Sequence, residues 1–409
     1  MKTCSLGRRA LCICTAAAVL AGCGGGSSMS PTPPLVGPST TAQRMHASPG
    51  YSVIYSFKGG ARDGENPYAG LTNVMGTLYG TTADGGTNGT GTVFTITKAG
   101  KETVFHKFGG SGDGANPYGG LLSIKGTLYG TTFDGGTNEF GAAFAITKSG
   151  KESVLDSFGG SNGVYPEAGL INVAGTLYGT TADGGTSNVG TVFAITKTGT
   201  ETVIHDFTGG SGDGAVPYAG LLNVEGTLYG TTQYGGAYNA GTAFAISASG
   251  TDSVLHSFGG PGDGGYPYAA LINVAGTLYG TTVIGGASCG SYHVTGCGVV
   301  FSLTRSGAET VLHSFGGAGD GVYPYAGLLN VKGTLYGTAE AGGANCSPFG
   351  CGVIFSITRS GTETVLHNFR GSGDGAYPGA ALLSVKDTLY GTTVDGGANG
   401  DGTVFALKP

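Results

Sequence analysis

The side chains with chemical capacity in this chain come in columns. Histidine recurs at His106, His205, His256, His313 and His367, always within "VLHSF" or a close variant, and Tyr55 and Asp156 take the same place in two further copies. Aspartate recurs in the phrase "GDGAxPY" at Asp63, Asp113, Asp213, Asp263, Asp320 and Asp374, with Asn162 in a shortened copy. Imidazoles in register could build a metal-binding or catalytic ring. They fall, however, on outer strands of separate repeats, expected to lie too far apart to share an ion, so a structural role is predicted. Calcium takes six to eight oxygens gathered at one point, and one carboxylate per repeat supplies too few, even with help from Asp84, Asp134, Asp183 and Asp395 of the "DGG" loops. An Asp before Gly more readily closes a local turn. No resident metal or other cofactor is expected, with calcium the candidate ion for these carboxylates.

Aromatic residues collect beside the start of each repeat: Tyr68, Tyr118, Tyr165, Tyr218, Tyr266, Tyr268, Tyr323, Tyr325 and Tyr377. Flat rings with nearby Asp and Asn acceptors suit stacking on sugars or anchoring of a protein partner; the plainer alternative is that Pro-Tyr fills the gap between repeats. Cys289 and Cys297 bracket "GSYHVTG", and Cys346 and Cys351 bracket "SPFG". In an exported chain this predicts one disulfide per loop. A zinc site shared by the two loops with His293 is the alternative, against which the lack of Cys-x-x-Cys spacing counts.

Enzymes built on repeats break their symmetry to gather unlike groups at one place. The polar residues that depart from the consensus, Arg62, Glu65, Glu139, Glu167, Gln233, Glu340 and Arg370, are scattered over different repeats. No nucleophile with its base, no acid pair and no phosphate loop emerges. A binding or scaffold role is therefore expected, with carbohydrate hydrolysis or elimination in a central funnel as the alternative.

The elements that position these columns follow from glycine and periodicity. Gly fills 85 of 409 positions without a three-residue period, and short Val, Ile, Leu, Phe and Tyr runs stand between the glycines. That is the pattern of many short strands joined by turns. The Leu of "LYG" falls at Leu78, Leu128, Leu177, Leu228, Leu278, Leu335 and Leu389, at intervals of 50, 49, 51, 50, 57 and 54 residues. Each repeat holds four strand-like pieces, in the second copy "GLLSI", "TLYGTT", "AAFAIT" and "ESVLDSF". This predicts an all-β, seven-bladed propeller of four-stranded blades over residues 51–409. The phase predicts its closure: "YSVIYSF" at Tyr51 matches a fourth strand and "GTVFALKP" a third, so the N-terminal strand completes the C-terminal blade. An open solenoid would rather begin and end on whole repeats. In "TLYGTT" the Gly is expected to lie under a large side chain from a facing blade. Loops after the second and fourth strands share one face, carry every insertion and are expected to hold the function.

Residues 1–22 read as a leader: Lys2, Arg8 and Arg9, an apolar Leu11–Ala21, then "LAGC" ending at Cys23. That ending resembles a bacterial lipobox and implies lipid on Cys23. Residues 23–50, rich in Gly, Ser, Thr and Pro, read as a flexible tether. The remaining chain carries 16 basic against 25 acidic residues, with no basic patch, so nucleic acid is not an expected partner. The expected setting is the bacterial envelope, at the outer membrane or cell surface, as a monomer held to the membrane by its lipid.

From Tyr51 to Pro409 the phrase "GTLYGTT…GG…GTVF" at fixed phase resembles the GloVer repeats of bacterial surface proteins, whose members attach by various anchors. The resemblance implies surface attachment and no particular activity. The ~50-residue period and the Gly-Gly pairs look distantly like kelch repeats, from which this chain departs by having no Trp.

Overall fold

The computed structural model describes residues 50–409 except 111, 248–249, 287–295, 317–318 and 347. The expected leader, Cys23 and most of the tether, together with Cys289 and His293, lie outside the described residues. The rest is a seven-bladed propeller. Its second blade is ordered Leu122–Ile124, Thr127–Thr132, Ala142–Ile146 and Glu152–Ser157 from axis to rim, all antiparallel. Blades one and three to six repeat this order, and in the seventh Tyr51–Ser56 is the rim strand, pairing Tyr51 with Leu407 and Ser56 with Thr403.

Local sequence explains the hairpins. Between the first two strands Lys125 and Gly126 have φ of 51° and 84°, the two left-handed residues that a tight turn matched to strand twist demands. In the seventh blade Lys386 and Asp387 take these conformations without a glycine.

The "TLYGTT" phrase can be decoded side chain by side chain. Its Leu is buried in every blade. Its Gly lies under a ring, as expected, but the ring belongs to the same blade: Gly130 pairs with Phe144 of the adjacent strand, and a Cβ on Gly130 would stand 2.6 Å from Phe144 Cζ. The close approach runs across one sheet, because the Phe folds down onto its cross-strand partner. The Thr directly after the Gly donates to a main-chain carbonyl of the next blade in all seven blades, at 2.7–3.2 Å, and Thr392 to Ala69 closes the circle. The Thr that ends the phrase fastens its own loop, Thr82 Oγ1 donating to the Asp84 carbonyl at 2.9 Å.

Further out, the Phe that ends each rim strand packs on the third-strand Phe of the next blade. The seven pairs run from Phe57–Phe94 to Phe369–Phe405, with centroids 4.9–5.4 Å apart and mostly edge-to-face. Burial of each such ring contributes about 1.5–3 kcal/mol, so the hydrophobic part of the fold is spread evenly over seven seams.

Candidate functional site

The tyrosines sit on loops stitched into place. The residue before the proline of each "xPY" phrase is left-handed in all seven repeats: Asn66, Asn116, Tyr165, Val216, Tyr266, Tyr323 and Tyr377, with φ of 54–59°. That conformation is costly for Val and for residues preceding Pro, and persists where surroundings over-determine it. Here two main-chain bonds do so. In the fifth repeat Tyr266 N–H donates to the Ala240 carbonyl of the preceding blade's loop, and the Tyr266 carbonyl accepts from Val283 N–H; the other six repeat the pattern.

The residues after the proline converge on the axis. Tyr218 and Tyr268 stack with centroids 4.9 Å apart and planes 7° from parallel, and Tyr325 meets Tyr268 edge-on at 5.1 Å. A second arc runs Tyr68, Tyr118, Phe133, Tyr165, with successive centroids 5.1, 5.4 and 4.8 Å apart. Equivalent rings of successive blades can touch in this way only near the centre of the circle. Gln233 Nε2 donates to the Tyr268 hydroxyl at 2.7 Å. All nine tyrosines named from the sequence are partly exposed, but Tyr323 and Tyr377, which precede the proline, pack against the hydrophobic clusters between blades. The ring is broken where the repeats replace the tyrosine, at buried Glu167 and at Gly379. Phe133 and Gln233, which follow "TLYGTT", are members that the sequence reading placed elsewhere or not at all.

Small residues narrow the axis beneath: a Cβ on Gly169 would meet the Gly120 carbonyl oxygen at 2.7 Å. Cys346 and Cys351 form a disulfide in the sixth blade's loop, with Cα atoms 5.4 Å apart, and Cys297 is disulfide-bonded as well, which removes these thiols as zinc ligands. The loop aspartates take up local roles, Asp63 Oδ1 accepting from Gly64 N–H at 2.8 Å and its equivalents at 2.6–2.7 Å. Asp84 is pushed up to about 6, chiefly by burial and then by the Glu65 carboxylate.

The histidines stand one to a seam. Seam contacts do bring unlike polar groups together: each His meets the Asp of the following loop and, across the seam, the first residue of the next blade's rim strand. His106, Asp113 and Glu152 make one such group, with His205–Asp213–Asp252, His256–Asp263–Glu309 and His313–Asp320–Glu363 its repeats, the ligating atoms of each group all within 4.8 Å of one another. The reason is a β-bulge. In every rim strand the register slips one residue before the His, as between Val104 and His106. A bulge re-aims the side chains beyond it, so Glu102 faces Asp63 behind it while His106 faces Asp113 ahead. The remaining seams hold Tyr55–Asp63–Glu102, Asp156–Asn162–Glu201 and His367–Asp374 with Tyr51 in the place of the Glu. The acids that head the rim strands were not singled out in the sequence.

The electrostatics follow. Burial first, then the facing Asp carboxylate, pushes Glu102, Glu309 and Glu363 up to about 7 and Glu152 to about 6. Burial works against charge on Asp113 and Asp213 too, but the facing His and the main-chain N–H groups around them hold both below the usual range.

A sign follows for Glu102. The folded state keeps a proton that the unfolded chain loses above its ordinary value of 4.5, so the native form binds more protons between about 4.5 and 7 and loses stability as pH rises through that window. We expect Glu102→Gln to raise the melting temperature at pH 8 and change it little at pH 4, by calorimetry of metal-free protein. Equal effects at both pH values would refute the assignment.

Profile comparison matches the Gloeobacter/Verrucomicrobia repeat over residues 38–244, 104–291 and 210–405. No curated protein matches by sequence. Among solved structures, a streptogramin B lyase is 13% identical with a TM-score of 0.56, over 88% of this chain and 99% of that one. A putative 6-phosphogluconolactonase from Bacteroides uniformis is 14% identical, TM-score 0.46, over 79% and 88%. A gluconolactonase from Xanthomonas campestris is 12% identical, TM-score 0.42, over 88% and 89%. At such identity the likeness is one of fold. The three overlapping profile matches reach from residue 38 to the last blade, and the chain belongs to the Gloeobacter/Verrucomicrobia repeat family.

Proposed function

We propose that the protein is a lipid-anchored envelope propeller that acts as a binding module and takes the end or a short stretch of a glycan at the aromatic mouth. The observation that carries this reading is the pair of tyrosine arcs, partly exposed, backed by a doubly bonded loop in every repeat and placed beside amide and carboxylate acceptors. Rigid flat rings with polar edges suit the apolar faces and hydroxyl rims of sugars. The "LAGC" ending at Cys23 supports the anchor, and the polar tether lets the mouth reach a ligand at some distance from the membrane.

Binding to an array of bacterial and plant polysaccharides, followed by titration calorimetry on the best ligand, tests it. Tyr218→Ala together with Tyr268→Ala is expected to weaken that ligand at least about tenfold, which is ~1.4 kcal/mol, without unfolding the ring. Unchanged affinity in the double variant would sink the reading, as would selective capture of a protein and no saccharide. Buried Glu167, in a break between the arcs, favours a second reading, carbohydrate cleavage. Release of reducing ends or unsaturated sugars that Glu167→Gln abolishes would replace binding by catalysis.

A further inference from the structure

Four of the seven seams carry a donor set that the aromatic mouth does not use. We propose that His106–Asp113–Glu152, His205–Asp213–Asp252, His256–Asp263–Glu309 and His313–Asp320–Glu363 are sites for a divalent transition-metal cation of the zinc type, each tying one blade to the next.

Geometry is the first argument. His205 Nε2 stands 3.4 Å from Asp213 Oδ1 and 3.9 Å from Asp252 Oδ2. Ligands held ~2.0–2.1 Å from a tetrahedral zinc lie about 3.4 Å from one another, so small side-chain shifts close the set. Its members are already fixed. The Asp is held by the main-chain N–H of the next residue, and the His ring is held edge-on against the Phe two residues later, at 4.8 Å for His106 and Phe108.

Unmet polar atoms are the second. His106 Nε2 is shielded from water, has no hydrogen-bond partner and stands 3.6 Å from Asp113 Oδ2. That separation is too long for a hydrogen bond and close to that of two ligands on one ion. Glu152 Oε1 in the same seam is likewise shielded and without a partner, as are Asp252 Oδ1, Glu309 Oε1 and Glu363 Oε1 in the other three. Leaving a buried acceptor unmet costs about 1–3 kcal/mol, and a cation would satisfy it.

Donor chemistry selects the ion. One imidazole nitrogen and two carboxylates suit zinc and its neighbours, whereas calcium takes oxygen alone in larger number. Two carboxylates also balance a double positive charge, which a half-buried seam requires. In the three sites where Nε2 now donates to the Asp, at 3.4 Å from His205 to Asp213, 2.9 Å from His256 to Asp263 and 3.1 Å from His313 to Asp320, the ring proton moves to Nδ1 and the freed Nε2 lone pair meets the ion.

The other three seams are the internal contrast. Each lacks one ligand and supplies a neutral group instead. Tyr55 donates to Asp63 Oδ2 at 2.7 Å, Asn162 donates to Glu201 Oε2 at 3.2 Å, and Tyr51 lies flat on His367 with centroids 3.7 Å apart. Glu102 and Glu201 also keep a partnerless oxygen, so an unmet carboxyl alone does not mark a site; its coincidence with an imidazole and a second carboxylate does.

The test strips the full chain with a chelator, reloads it with Zn²⁺, removes free metal and counts bound zinc by mass spectrometry, with Co²⁺ absorption as a report on ligation. We expect close to four equivalents, a visible cobalt band, a rise in melting temperature with Zn²⁺ larger than with Ca²⁺ at equal concentration, and loss of one equivalent in each of His256→Gln and His313→Gln. Glu102→Gln should leave the count unchanged. Fewer than one equivalent retained, or a full count in the His256→Gln/His313→Gln double variant, overturns the proposal. Should those variants not fold, absence of a cobalt band in the unaltered chain overturns it equally, and stabilisation by Ca²⁺ alone rejects the metal class.

Discussion

A chain lacking residues 1–57 is expected to show no cooperative melting transition and to elute as aggregate, while a chain lacking residues 1–49 melts as the full chain does. The strand Tyr51–Ser56 covers the whole length of Thr403–Leu407, and Phe57 is fully buried against Phe94. Without them the seventh blade exposes the hydrogen-bonding edge of a strand reading "TVFAL", a template for pairing with another chain. The seam between the seventh and first blades also loses its Phe pair together with Ile54 and Tyr55, which pack in the same cluster. Loss of one buried Phe costs ~3–5 kcal/mol, and a domain is stable by about 5–15 kcal/mol in all; losing the ring, its neighbours and a five-residue ladder together exceeds that range. Size-exclusion chromatography with calorimetry reads the result. A monomeric, cooperatively melting 58–409 chain would show that six intact seams suffice.

The second large effect is expected at Gly130. Valine there would drive its Cβ to within 2.6 Å of Phe144 Cζ and 3.2 Å of Leu121 Cδ2, in a blade whose third strand, Ala142–Ile146, is buried throughout. Overpacking of this kind costs typically about 1–3 kcal/mol and more where neighbours cannot move; Phe144 is wedged against Phe108 of the preceding blade, so the upper end or beyond is expected. Phe144→Ala alone should cost ~3–5 kcal/mol. Because one residue fills the space that the other vacates, the double variant should be less destabilised than the sum of the singles by ~1–3 kcal/mol. Urea denaturation of the four proteins completes the cycle. Strict additivity would mean that the Phe ring is not what keeps position 130 a glycine.

The ring was legible in the sequence because its information is periodic. The seven "LYG" leucines fix the number of blades, the Lys125–Gly126 pair fixes one hairpin, and the mismatch in phase between Tyr51 and Pro409 fixes closure. The seam groups were not legible, for a reason particular to repeats. Aligned copies invite a reading down columns, His106 beside His205 beside His256, whereas the contacts run diagonally, from a His to the loop after it and on to the acid that heads the next rim strand. His106 and Glu152 are 46 residues apart and belong to different columns. Alternation would also mislead, since Glu102 and His106 are four apart and would share a face in a regular strand. The bulge that turns them to opposite seams is set by cross-strand register, which no single strand reveals. The covering of Gly130 by its own blade's Phe144 was missed likewise, because "TLYGTT" was read by itself rather than against its hairpin partner.

The threonine circle bears on how such a chain can change over generations. Each hydroxyl is received by main-chain carbonyl, which every residue type possesses, so the joint between two blades does not inspect the identity of its neighbour. Copies can be exchanged between positions, or overwritten by one another through recombination, and still meet an equivalent joint. Uniformity of the inner phrase and divergence of the loops are then two results of one arrangement: the part in contact with every neighbour is held in common, and the part in contact with none is left free to acquire a private use.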